Sequence, residues 1–153
     1  MRPFPVIVQT PSDHPFVSVR DINIDNPAAG AEINYVVPVG IQWKLNALFF
    51  QLVTDANVAA RLVHLYVANS YGIVYHAANA TGPAENLTAI YSIAPSNTYR
   101  QGGAAPVVIF HGWPDSLILE EGARIYTATD LIQAGDQFSA ITLQYQSIDI
   151  EDR

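Results

Sequence analysis

Residues Gln42–Thr54, QWKLNALFFQLVT, contain no glycine or proline and form the longest credible strand of the chain. Successive side chains of a strand face opposite sides, so the first half has one dry and one wet face: Trp43, Leu45 and Ala47 against Gln42, Lys44 and Asn46. In the second half Leu48, Phe49, Phe50, Leu52 and Val53 make both faces apolar. A strand that passes from half-buried to buried on both sides is expected to run through the middle of a sheet, as the spine of a two-layer β-fold.

The rest of the chain reads as short strands and turns. Phe16–Ile24, Ile33–Val37, Arg61–Asn69, Ile73–Ala77, Leu87–Ala94, Pro106–Phe110, Ser116–Leu119, Ala123–Thr129 and Phe138–Ile148 carry strand patterns, separated by turn clusters such as Pro38-Val-Gly40, Ser70-Tyr71-Gly72 and Ala134-Gly135-Asp136. Within Arg61–Asn69 the alternation sends Val63, Leu65 and Val67 inward and His64 and Tyr66 outward. Pro95–Ala105 reads as a flexible loop. No amphipathic helix longer than a turn or two is visible. The expected fold is all-β, an antiparallel two-sheet β-sandwich of about eight strands, and the long connections between strands favour a jelly-roll type.

Residues 1–15 differ from the remainder of the chain. Pro3, Pro5, Pro11 and Pro15 fix φ and remove donors, which keeps this segment out of a central ladder. Yet Phe4, Val6, Ile7 and Val8 are costly to leave in water. The expectation is an extended amino-terminal arm over 1–15, tied to a neighbouring subunit or shell through those four residues, and then one β-sandwich domain over 16–153. The alternative is an arm packed on its own domain.

Composition limits the partners. With 153 residues the chain is long enough for one domain with a real core; half the residues are hydrophobic and 14% are charged, which argues against disorder. The net charge is −7 and Lys44 is the only lysine. Nucleic acid is therefore not expected as a partner, since phosphate contacts need clustered Lys and Arg. Without cysteine there is no disulfide and no thiolate metal site. No apolar run reaches the roughly 18 residues of a membrane span, so no membrane partner is expected. The proline-broken amino end does not read as a signal peptide, which leaves the cytosol of the producing cell as the simplest compartment.

Chemistry-bearing patterns are sparse. His14, His64, His76 and His111 show no metal-ligand spacing, and no cofactor is expected. His64 and His76 lie on adjacent strands and meet across a hairpin if the pairing is right. The acidic residues (Asp21 and Asp25, Glu120 and Glu121, Asp149, Glu151 and Asp152) form loose surface groups. There is no nucleophile elbow, P-loop or dinucleotide fingerprint, and no catalytic residue is assigned. Trp43 is expected in the core. Trp113, in the turn His111-Gly-Trp-Pro-Asp115, is open to three readings: packing under its own loop, contact with a subunit or shell, or stacking on a sugar. Asn79-Ala-Thr81 and Asn86-Leu-Thr88 match the glycosylation sequon by chance.

Val37–Asn69 resembles a stretch of small structural proteins of tailed bacteriophages. The resemblance runs through a Pro/Gly turn, a strand with a tryptophan near its start, Leu52-Val-Thr-Asp-Ala-Asn-Val58 and Ala60-Arg-Leu-Val-His-Leu65, and continues in Leu131-Ile-Gln-Ala-Gly-Asp-Gln-Phe-Ser139 before the final strand. The family resembled is that of jelly-roll decoration or cement proteins, which bind outside a capsid shell, often as trimers. It implies a non-enzymatic virion protein made in the host cytoplasm and carried on the capsid surface. Its partners would be its own copies, a trimer above all, and the major capsid protein. A carbohydrate-binding jelly-roll module of a phage tail or fibre is the alternative.

Overall fold

The computed structural model describes residues 17–102, 106–115 and 117–149. The arm over residues 1–15, with Phe4, Val6, Ile7 and Val8, lies outside the described residues. The described chain is all-β. Its strands are β1 (Val17–Ile24), β2 (Asn34–Val36), β3 (Ile41–Val53), β4 (Leu62–Asn69), β5 (Gly72–Ala78), β6 (Thr88–Ile93), β7 (Arg100–Gln101), β8 (Val107–His111), β9 (Ile118–Leu119), β10 (Arg124–Asp130) and β11 (Gln137–Asp149). They form a two-sheet sandwich. The larger sheet has the order β1-β11-β3-β6-β8-β7, with β9 also paired to β3; the smaller has the order β2-β10-β4-β5.

The spine is where the sequence places it. β11 pairs with one edge of β3 along its whole length, from Asp149↔Ile41 to Gln137↔Val53. The other edge is therefore shared: β6 takes Leu48–Val53 and β9 takes Trp43 and Lys44. The core between the sheets is built from alternate residues of both, including Trp43, Leu45, Phe50 and Leu52 of β3, Val63, Leu65 and Val67 of β4, and Phe138, Ile141 and Leu143 of β11. Trp43 lies between Tyr35 and Tyr145, at ring separations of 5.7 and 4.1 Å. Phe50 stacks on Tyr91 at 4.5 Å.

Three expectations need correction. Eleven strands stand among the described residues, against the expected number of about eight. β7, for example, falls inside the segment read as a flexible loop, and it is a strand only because the free edge of β8 gives Arg100 and Gln101 a partner. The sheets are not wholly antiparallel: β6 and β8 pair in parallel. Residues 94–106 are long enough for the return this requires, about a dozen residues or more.

The second half of β3 is also not buried on both faces. Leu48, Phe50 and Leu52 point inward, while Phe49 and Val53 are each 42% exposed. Two bulges set this phase. Between the pairs Tyr145↔Leu45 and Gln144↔Ala47, Asn46 is the extra residue of β3. Between Thr142↔Phe49 and Ser139↔Gln51, β11 carries one residue more than β3, and Ala140 there has φ 49°. An extra residue inverts the facing of everything beyond it, and alternation alone does not reveal that.

Candidate functional site

The outer face of the smaller sheet carries an unbroken row of rings. The register sets Tyr126 of β10 beside Tyr66 of β4, and Tyr66 beside His76 of β5. The alternation of β4 places His64 on the same face as Tyr66, as expected. Tyr126 and Tyr66 lie 5.1 Å apart, Tyr66 and His76 4.5 Å, and His76 and His64 5.3 Å, all close to parallel. Arg124 covers the far side of Tyr126 at 5.1 Å and is held by Asn34 Oδ1. Because the rings stack on one another, their faces are taken up within the row, which leaves little open ring face for stacking on a sugar.

The two histidines meet across the β4–β5 hairpin, with His64 Nδ1 3.1 Å from His76 Nε2. His64 Nε2 lies 3.3 Å from Asp130 Oδ2. An ionised carboxylate only accepts, so in the neutral pair His64 Nε2 carries the hydrogen and Nδ1 is the acceptor. His76 Nε2–H must then donate to His64 Nδ1, which leaves His76 Nδ1 as the acceptor at the end of the chain. The arrangement fixes tautomers rather than binding an ion: among the described residues no group of three or more His, Asp or Glu side chains is placed to hold a metal.

His76 also borders an open cavity of about 460 Å³ along β5, with Ala77, Ala78 and Ala80 on one side and Tyr99 and His111 on the other. Tyr99 is fixed by accepting from Ala80 N and donating to Gln101 Oε1, each at 2.8 Å. Burial holds the His111 imidazole below its ordinary pKa, which favours the neutral ring. None of the residues lining this cavity is an acid, a lysine or an arginine.

Of the three readings of Trp113, the structure selects packing within its own chain over the interface assignment. Trp113 is 3% exposed within its own chain and belongs to the core, with the edge of Tyr75 against it at 6.1 Å. The tight turn folds it inward, and Tyr75 locks the loop by donating to the Gly112 carbonyl at 2.9 Å. Its ring therefore meets neither a neighbour nor a sugar, and it leaves the set of candidate interface residues.

The sequence reading missed the buried ion cluster at one end of the sandwich. Arg61 is fully buried. Its Nε donates to Asp136 Oδ2 at 2.9 Å, Nη2 to Asp55 Oδ1 at 2.6 Å and Asp136 Oδ1 at 3.0 Å, and Nη1 to the carbonyls of Asn57 and Ala59. All five donors of the guanidinium are used, so the cluster is structural: it ties the loops after β3 and before β11 to the start of β4. Asn79 has a similar duty. Buried, it accepts from Val63 N at 3.0 Å and donates to the Thr81 carbonyl at 3.1 Å, so its sequon is not open to modification.

The outer face of the larger sheet differs in kind. Neighbouring strands set Thr142, Phe49, Ser92 and Phe110 in one row and Gln51, Ile90 and Val108 in the next. These central positions are uncharged; Arg100, paired with Phe110, and Lys44 and Asp21 bring charge to the same face further out. Phe49 and Val53 are exposed on it, and Ile90, Val108 and Phe110 are half-buried. No protein-family model matches the chain, and no curated protein or solved structure is significantly similar to it.

Proposed function

We propose that this chain is a non-enzymatic structural protein of a virion, a jelly-roll β-sandwich that decorates or cements a tailed-bacteriophage capsid shell through protein–protein contacts. The observation that carries the reading is the uncharged centre of the larger sheet's outer face, where Phe49 and Val53 are exposed among Thr, Ser and Gln and the charges of Asp21, Lys44 and Arg100 stand only towards its margins. Charge depletion at the centre with a polar, uncharged surround is the composition of a protein-binding face. The jelly-roll type is part of the proposal. It is supported by a chain that passes from one sheet to the other between β1 and β2, β2 and β3, β3 and β4, β5 and β6, β9 and β10, and β10 and β11. Self-association as a trimer, the major capsid protein as partner and residence on the capsid surface follow from the family resemblance of Val37–Asn69.

One observation favours the second reading, a carbohydrate-binding module. The cavity beside β5 offers Tyr99, Asn97 and two imidazoles without a charged group, a lining suited to a neutral hydroxylated ligand. Co-sedimentation with capsid shells that lack the protein separates the two. Binding to shells, weakened by Phe49→Asp, is the expected result. A folded chain that stays in the supernatant overturns the cement reading, and a glycan-array signal abolished by Tyr99→Ala selects the alternative.

A further inference from the structure

Sheet edges present unpaired N–H and C=O groups, and native proteins blunt them by shortness, charge, proline or cover. Three of the four lateral edges here are blunted. β1 carries Arg20 and Asp21, β2 is three residues long with Pro38 just beyond it, and β7 is two residues long and includes Arg100. The fourth, β5, is seven residues long, GIVYHAA, with no charge and no proline; its one irregularity is a bulge at Val74, beyond which Tyr75–Ala78 pair regularly with β4 and end the smaller sheet among the described residues. Ile73 is 57% exposed, Val74 44% and the preceding Tyr71 93%. The cavity lined by Ala77, Ala78 and Ala80 runs along it. Such small side chains let another backbone come close.

The amino-terminal sequence has a pattern that would match such an edge. In an extended peptide, the N–H and C=O of alternate residues point to the same side. Pro3 and Pro5 are two apart, so both missing donors fall on one side. Phe4, Val6 and Val8 keep theirs on the other. The segment can therefore pair along one side only, as an edge strand must.

We propose that residues 3–8 of a second copy pair as a strand with the open edge of β5. This rests on the self-association part of the reading above. The two sides of the contact lie at opposite flanks of the sandwich. β2 sits over β3 and β11, as the Tyr35–Trp43–Tyr145 stack shows, while β5 sits beside the end of β8, where Tyr75 reaches Gly112. β1, which comes after the arm, forms the flank beyond β11. An arm leaving one flank of a molecule meets the opposite flank of the copy beside it. Such a head-to-tail contact, when repeated, closes into a ring where its rotation allows and otherwise runs on as a filament, and strand addition supplies its main-chain bonds.

Parity gives the test. Val6→Pro removes a donor from the pairing side, and Ile7→Pro removes one from the side already lacking two. Light scattering and sedimentation of the full chain should show an oligomer for the parent and for Ile7→Pro. Val6→Pro should raise the dissociation constant by about tenfold, the equivalent of one lost main-chain hydrogen bond. Val74→Lys should weaken association similarly, and a peptide of residues 1–10 in excess should dissociate the parent. A parent that is monomeric at micromolar concentration overturns the proposal, as does equal behaviour of Val6→Pro and Ile7→Pro or indifference to Val74→Lys. If Val74→Lys does not fold, peptide competition on the parent decides alone. Shell binding is scored separately: self-association through β5 without shell binding defeats the cement reading only, and shell binding by a monomer defeats this one only.

Discussion

Arg61 and Asp136 face each other wholly out of solvent, joined by two hydrogen bonds of 2.9 and 3.0 Å. Removing one partner strands the other charge in the interior, which costs about 3–5 kcal/mol. Asp136→Ala and Arg61→Ala are each expected to lose that much in urea denaturation. Gly82→Ala should also destabilise, because its Cβ would overlap the backbone of Arg61. Loss of less than about 1 kcal/mol in both charge-removing variants would show that the cluster does not hold the loops together.

Two aromatic residues of β3 should behave oppositely. Trp43→Ala removes a fully enclosed ring and is expected to cost about 3–5 kcal/mol. Phe49→Ala removes a ring 42% exposed on the outer face and should cost about 1 kcal/mol or less. Equal losses in chemical denaturation would contradict the inverted facing of this half of the strand.

Ala140 holds φ 49° at the bulge of β11. That conformation costs a non-glycine residue roughly 1–2 kcal/mol, and the extra freedom of glycine in the unfolded chain offsets roughly 0.5–1 kcal/mol of any relief. Ala140→Gly is therefore expected to raise stability by about 0.5–1 kcal/mol, as a small upward shift in melting temperature; a downward shift would rule out strain at this position.

Asp55 gives a pH dependence. Burial pushes its carboxyl pKa up, but hydrogen bonds from Asn57 and Gly135 and the Arg61 charge outweigh that and hold it below its ordinary value. A lowered folded pKa adds stability at pH above the unfolded value, about 3.9, and that stability is lost as pH falls through the folded pKa. Unfolding titrations from pH 6 to pH 3 should show stability falling on acidification, and Asp55→Asn should flatten the fall. An unchanged slope in that variant would remove Asp55 as its source.

Much of the fold is legible in the sequence, because a period of two survives wherever one face of a strand is dry. Val63, Leu65 and Val67 against His64 and Tyr66 give both the facing of β4 and the outward position of the ring row. The meeting of His64 and His76 follows from one hairpin. What alternation cannot carry is a shift in register, and so Phe49 and Val53 are misplaced by a bulge at Asn46. Nor can it show that a charged residue opening a strand turns inward. Arg61 looks like a solvated strand end until Asp136, far along the chain, comes back to meet it. The parallel pairing of β6 with β8 and the inward fold of Trp113 are likewise decided by distant contacts, with no local signal.

The position of β11 has a consequence for how the protein is made. β11 is the last of the described strands, yet it lies between β1 and β3 and pairs with both. Until it leaves the ribosome, β1 has no neighbour in the larger sheet and the spine has one bare flank. Pairing β1 with β11 closes a loop that spans nearly all of the described residues, which favours slow folding. The nascent domain must therefore wait, with Leu45, Leu48 and Phe50 only partly covered, until β11 has been made. A translation stop a few codons before Gln137 would release a chain that lacks the middle of its sheet, not one that has merely lost its tail.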